Sequence, residues 1–269
     1  MTQDQPGQAP RFDTNVASIA RIYDYWLGGK DNYAVDREAG EAMIRQYPDI
    51  VAGVRMNRAF LGRAVHYLAA EAGIRQFLDI GTGLPSSNNT HEVAQRAAPE
   101  SRIVYVDNDP IVLSHARALL ASTPEGACAY LDADIREPRK ILQDAAATLD
   151  FSRPVAVCLI MVLQFVPDED DPWQIVRTLM DTVPSGSYLA VAHPASDVDQ
   201  EVGPALRQLS TRMGSTRATP RSHQEVARFF ACLEMIEPGL VQLHRWRPGV
   251  GVQGNGRELA AYGGVGRKT

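Results

Sequence analysis

The chain has 269 residues, 45% hydrophobic and 22% charged, which suits a globular protein with a substantial core: one α/β domain with additions. A formal net charge of −5 argues against an obligate binder of nucleic acid or anionic membrane. No apolar run approaches the roughly 18 residues of a membrane span, residues 1–10 lack a signal-peptide core, and Cys128, Cys158 and Cys232 form no Cys-x-x-Cys pair, so reduced thiols and a cytoplasmic location are expected.

Residues 1–13 read as a disordered or loosely packed arm of Gln, Pro, Gly and Asp. From residue 14, Val16, Ile19, Ala20, Tyr23 and Leu27 recur at helical steps, and Gly28-Gly29 stops the helix. A second helix is expected over 36–46, before Pro48. A third runs over 49–72, with Val54, Leu61, Val65 and Leu68 on one buried stripe and Gly73 at its end. Residues 14–73 thus form an N-terminal helical cap on a domain spanning 74–269.

After Gly73, short apolar runs alternate with helices. The runs predict strands over 77–80, 102–106, 127–132, 155–160 and 188–192, with helices over 91–98, 111–121, 141–149 and 173–182. Such alternation specifies right-handed crossovers and a largely parallel sheet covered on both faces. Ser222 and Glu225 have capping-box spacing. Two closing strands, 240–245 and 259–263, joined through Pro248-Gly249, predict an antiparallel hairpin at the sheet edge.

Ligands of open parallel sheets bind beyond the carboxyl ends of the strands. The first run ends in Asp79 and Gly81-Thr82-Gly83, where the absent Cβ lets a ligand lie against the backbone. The N–H groups that open the next helix are expected to face the same ligand. The second run ends in Asp107-Asn108-Asp109-Pro110. Asp107 lies 24 positions after Gly83 (107 − 83), near the roughly 20 expected of an acid that accepts from ribose hydroxyls. Asp109 instead reads as the cap of the following helix, with Pro110 at its first position. The third run ends in Asp132-Ala133-Asp134-Ile135-Arg136, and Asp134 can accept from an exocyclic amino group such as adenine's. An adenosine-containing ligand follows. A dinucleotide wants a third glycine where this chain has Ser86, so S-adenosylmethionine is favoured, with Asp79 and backbone carbonyls on its ammonium.

These stretches resemble the successive motifs of class I S-adenosylmethionine-dependent methyltransferases: Leu78-Asp79-Ile80-Gly81-Thr82-Gly83, Val106-Asp107-Asn108-Asp109-Pro110 and Ala133-Asp134-Ile135-Arg136. More narrowly, Tyr23-Asp24-Tyr25-Trp26-Leu27-Gly28-Gly29-Lys30-Asp31-Asn32 is similar to the opening signature of a bacterial S-adenosyl methyltransferase family. Arg55-Met56-Asn57-Arg58, the Phe165–Pro172 segment and the closing Tyr262–Arg267 segment are similar to it too. The resemblance covers nearly the whole chain after about residue 14. It implies a Rossmann-like fold with a seven-stranded, mostly parallel sheet and an antiparallel last strand. It also implies donor binding at Asp79, Gly81, Asp107 and Asp134, and their neighbours Thr82, Gly83, Asn108 and Ile135 are expected to contact the donor too. It does not supply a methyl acceptor, for which a small molecule is expected. Neither nucleic acid nor membrane is an expected partner, and a homodimer is compatible with the sequence.

The segment from Tyr23 to Asn32 can fold over the donor as a water-excluding lid, with Tyr23, Tyr25 or Trp26 on the sulfonium and Lys30 nearby. Asn57 and Arg58 can reach the donor carboxylate or this lid. No catalytic base is identified, the one weak candidate being His193; members of the resembled family often carry histidine where this chain has Gln164, and an amide cannot serve. No metal-ligand spacing appears, and the Asp168–Asp171 run reads as a solvated helix start. Two rival readings are a non-catalytic S-adenosylmethionine-binding regulatory module and an NAD(P)-dependent oxidoreductase.

Overall fold

A computed structural model of the chain describes residues 13–119, 122–213, 218–249 and 259–269. The expected arm thus lies outside the described residues except for Asp13, as do the last two residues of the helix expected over 111–121 and most of the link beyond Pro248-Gly249.

Five parallel strands carry the sheet: β1 (Gln76–Ile80), β2 (Arg102–Asp107), β3 (Ala127–Asp132), β4 (Ala156–Ile160) and β5 (Tyr188–Pro194). Three antiparallel strands complete it: β6 (Leu233–Met235), β7 (Val241–Gln242) and β8 (Ala261–Lys268). The order is β3-β2-β1-β4-β5-β8-β6, with β7 also paired to β8, so the strands number eight rather than the expected seven. The closing hairpin does pair, Val241 with Gly263, but β8 is no edge strand: it lies between β5 and β6. Only two residues of the strand expected over 240–245 join the ladder; Leu243–Arg245 is a 3-10 turn. Arg63 of the third helix explains this, because its guanidinium donates to Leu243 O at 2.6 Å and Trp246 O at 2.8 Å. Those carbonyls are thereby turned to a helix instead of a neighbouring strand.

The helices are α1 (Ile19–Leu27), α2 (Ala34–Gln46), α3 (Ile50–His66), α4 (Thr90–Ala97), α5 (Pro110–Leu119), α6 (Pro138–Ala145), α7 (Pro172–Thr182), α8 (Val202–Met213) and α9 (His223–Ala227). The period-2 alternation of β1 divides the core between the two sheet faces. Leu78 and Ile80 pack toward α6 and α7 with Ile141 and Leu179, while Phe77 packs toward α3 with Phe60 and Val65. A third cluster joins α1 and α2 to α8 through Ile22, Trp26, Met43, Val202 and Leu209, and it includes Ala195 and Ala260 of the α/β part. The cap is therefore packed into the domain by a helix that the periodicity does not announce. Beneath it Arg21 and Asp36, 1% and 0% exposed, form an ion pair at 2.7 Å, and Asp36 also accepts from the backbones of Ser18 and Tyr33. Among the described residues no helix is long and apolar enough to cross a membrane.

Candidate functional site

A cavity of about 370 Å³ lies over the carboxyl ends of β1, β2, β3 and β4, roofed by α1 and α3. Its size falls in the range of small-molecule sites, roughly 300–1,000 Å³. The Gly81-Thr82-Gly83 turn forms its floor. Gly81 and Gly83 have φ of +77° and +65°, left-handed values that glycine adopts without penalty. A Cβ on Gly81 would fall 2.4 Å from Val162 Cγ2, so the turn also needs glycine to pass the loop after β4.

Three carboxylates converge on this floor, each at a strand end. Asp79, 5% exposed, accepts from Thr90 Oγ1 at 2.5 Å; burial raises its pKa to about 6, against the partial relief of Thr90 and the Arg58 charge. Asp107 accepts from Gly83 N at 2.9 Å through one oxygen and from Asp109 N at 3.0 Å through the other. Burial raises its pKa as well. Each Asp107 oxygen retains a second lone pair, the arrangement a vicinal diol requires. Asp109 caps α5, accepting from Ile111 N at 2.9 Å. Asp134 also lines the cavity, beside Ile135, but its carboxylate takes four hydrogen bonds, three from Arg136 and one from Asn108 Nδ2 at 3.1 Å. Those bonds hold its pKa below the usual carboxylate range, Arg136 foremost. They also fill its roughly four lone-pair sites, so an adenine amino group must displace one partner.

The roof uses the opening signature in a divided way. Tyr23, Asp24 and Leu27 line the cavity. Tyr25 donates to Glu41, and Trp26 Nε1 to Gly40 O at 3.3 Å, so both turn to α2 and neither reaches the donor space. Asp24 accepts from Asp31 N and Asn32 Nδ2, each at 2.9 Å, and a Cβ on Gly29 would fall 1.9 Å from Asp24 Oδ1. The second glycine thus lets the loop close on Asp24. Lys30 is exposed and lines a neighbouring groove, outside the cavity. Asn57 Nδ2 donates to Tyr23 OH at 2.7 Å. Arg58 donates to Ser87 O at 3.1 Å and Asn88 O at 3.0 Å, bracing the loop before α4. Burial raises the Tyr23 phenol pKa, so it stays protonated at neutral pH.

His193 does not meet the cavity. It is fully buried, with Nδ1 2.9 Å from Pro194 O and Nε2 3.0 Å from Arg221 Nη1, and burial lowers its pKa to about 3. Without access or a matched pKa, it is a packing residue instead of the expected base. Arg221 also binds Asp168 at 2.7 Å, and Asp171 caps α7 by accepting from Gln174 N at 3.1 Å. Among the described residues no His, Cys, Asp or Glu group has metal-binding geometry. The start of α4 departs from expectation too: Ser86 N is capped by Asn89 Oδ1 at 3.1 Å and Asn89 N by the Glu92 carboxylate at 3.0 Å. Two N–H groups that a pyrophosphate would use are satisfied, beside an acid that would repel it.

Thr82 Oγ1, Arg58 Nε and Asn57 Oδ1, all on residues lining the cavity, are buried and lack a hydrogen-bond partner. Buried polar atoms of this kind call for a polar ligand. The profile of the S-adenosyl methyltransferase family matches residues 5–269. The chain belongs to that family. A DUF574 family protein from Streptomyces avermitilis shares 51% identity, with a TM-score of 0.92 over 96% of this chain and 100% of its own. A structure from Thermobifida fusca shares 38% identity, with a TM-score of 0.87 over 95% of this chain and 96% of its own. An O-methyltransferase family protein from Burkholderia thailandensis, 16% identical, shares the class I methyltransferase fold, with a TM-score of 0.51 over 84% of this chain and 62% of its own. None of the curated proteins matches the chain.

Sequence reasoning about this S-adenosyl methyltransferase family member overlooked Thr90, Leu61, Met161 and Phe165 as residues at the site. Thr90 was readable only as a helix-start residue. Met161, with φ +56°, carries a backbone strain that only coordinates reveal.

Proposed function

We propose that the chain is a cytoplasmic methyltransferase that binds S-adenosylmethionine in the 370 Å³ cavity and methylates a small molecule. The observation that carries this reading is Asp107. Both its oxygens are pinned by backbone N–H groups, and each keeps a lone pair for one hydroxyl of a ribose. The donor supplies a methyl group already activated on a sulfonium, so the protein's task is chiefly alignment and exclusion of water. Asp79 meets the ammonium as a buried carboxylate, Arg58 and Thr82 offer their unpaired polar atoms to the carboxylate, and Ile135 offers an apolar wall to the adenine. Tyr23, held by Asn57, closes the methyl-bearing side.

Calorimetry tests the donor: the expected result is binding of S-adenosylmethionine and its demethylated product, and none of NAD(H) or NADP(H). Asp107→Ala should raise the donor dissociation constant about 10- to 100-fold, from the loss of two charge-assisted hydrogen bonds. An unchanged constant in a folded variant would sink the ribose assignment. His193 offers no base, which favours a non-catalytic binding module as the second reading. A radiolabelled methyl-transfer screen over cell extract separates the two, since the module yields no labelled product at saturating donor.

A further inference from the structure

Behind Tyr23 lies a second cavity, of about 140 Å³, enclosed by α1, α2, α3, α8 and residues 259–261. Its walls are largely apolar, with Trp26, Met43, Val54, Leu206 and Leu209 among them. It adjoins the first cavity, with which it shares five lining residues: Ile19, Tyr23, Asn57, Met161 and Phe165. Its volume suits one ring, since an engineered apolar cavity of about 150 Å³ takes up benzene.

Two buried wall residues each leave an acceptor open. Gln164 and Asn57, 6% and 3% exposed, each hold a buried carbonyl oxygen with no hydrogen-bond partner, Oε1 and Oδ1. The amide nitrogens of both are engaged, Gln164 Nε2 on Met161 O at 2.7 Å and Asn57 Nδ2 on Tyr23 OH. The oxygens are therefore the open ends, and both are acceptors. An unpartnered buried acceptor costs about 1–3 kcal/mol, a penalty that a ligand N–H or O–H removes. An anionic guest would lose its hydration among largely apolar walls and gain no donor from either open oxygen.

We propose that this cavity holds the methyl acceptor: an uncharged, predominantly apolar, single-ring molecule whose N–H or O–H donates to Gln164 or Asn57. The inference rests on the donor reading of the adjoining cavity. Gln164 then recognises the acceptor by hydrogen bonding and takes no proton from it.

Ligand-observed NMR on the full chain tests this with phenol, toluene and benzoate as probes, while calorimetry follows the demethylated donor separately. Phenol should bind about fivefold more tightly than toluene, the worth of one neutral hydrogen bond, and benzoate should not bind. Gln164→Leu should narrow the preference for phenol over toluene, and adding Asn57→Leu should abolish it. Gly53→Leu supplies the blocking variant: Gly53 lines this cavity but not the first, and a Cβ there meets nothing within 4 Å. Leucine also suits a helix better than glycine, so α3 should persist. The variant should lose both neutral rings and keep the donor constant. Equal binding of phenol and toluene by the native chain, or ring binding indifferent to Gly53→Leu, overturns the proposal. Phenol bound here by a chain that binds no donor overturns the donor reading instead, and with it the acceptor assignment.

Discussion

A carboxylic acid taken out of water keeps its proton longer, and Asp79 is such an acid. Its pKa stands at about 6 in the fold against 3.8 in water. Because the folded value is raised, its contribution to stability is full below about pH 4 and lost as the pH climbs through 6. At neutrality, ionised Asp79 costs the ligand-free fold about 3 kcal/mol. An ammonium beside it offsets that cost. Donor affinity should therefore be flat above about pH 7 and fall roughly tenfold per unit below pH 6. Calorimetric titrations across that window check the slope, and Asp79→Asn should bind weakly with no slope. A flat native profile would dispose of the ammonium contact. Gly81→Ala tests the floor: the left-handed φ alone costs about 1–2 kcal/mol, and the collision with Val162 must be relieved by moving the turn. Its donor constant should rise at least about tenfold by calorimetry.

At the scale of elements, the α1–α2 junction depends on a charge pair without water. Asp36→Ala leaves the buried Arg21 guanidinium without a counter-charge and should destabilise the protein by about 3–5 kcal/mol in urea unfolding. The double variant Arg21→Met, Asp36→Leu should recover only part of that loss: no charge is stranded, but the Ser18 and Tyr33 N–H groups lose their acceptor. Periodicity and capping residues found α1, α2, α3 and the parallel strands because burial on one face writes itself into the local pattern. They missed α8 because Gly203 and Pro204 sit in its first turn, where proline lacks only an N–H that has no helical partner. They missed β6 because three residues acquire strand geometry from β8, not from their own pattern. The strand expected over 240–245 stops after Gln242 for a related reason: Arg63, 180 residues away from Leu243, captures its carbonyl.

Across the whole molecule, the strand-end aspartates were legible because topology places every such end on one side of the sheet. What each aspartate binds was not legible. Asp134 is occupied by Arg136, Asp107 by backbone N–H groups, and His193 is sealed by Arg221, which is 28 positions further on. Such partners are chosen by packing, after the sheet order is set. That order carries a consequence for how the chain is assembled. The site-bearing strands β1 to β4 come together from residues 76–160, each beside a partner already synthesised. β6 and β7 emerge earlier than β8 yet pair with nothing else among the described strands. Until residues 261–268 arrive, β5 remains an open edge, and Ala260 is missing from the cluster beneath the cap. A chain truncated after residue 249 should therefore self-associate in sedimentation experiments, although every residue assigned to the donor is present. The residues proposed to hold the donor are thus encoded early in translation, while the strand that covers the β5 edge comes last.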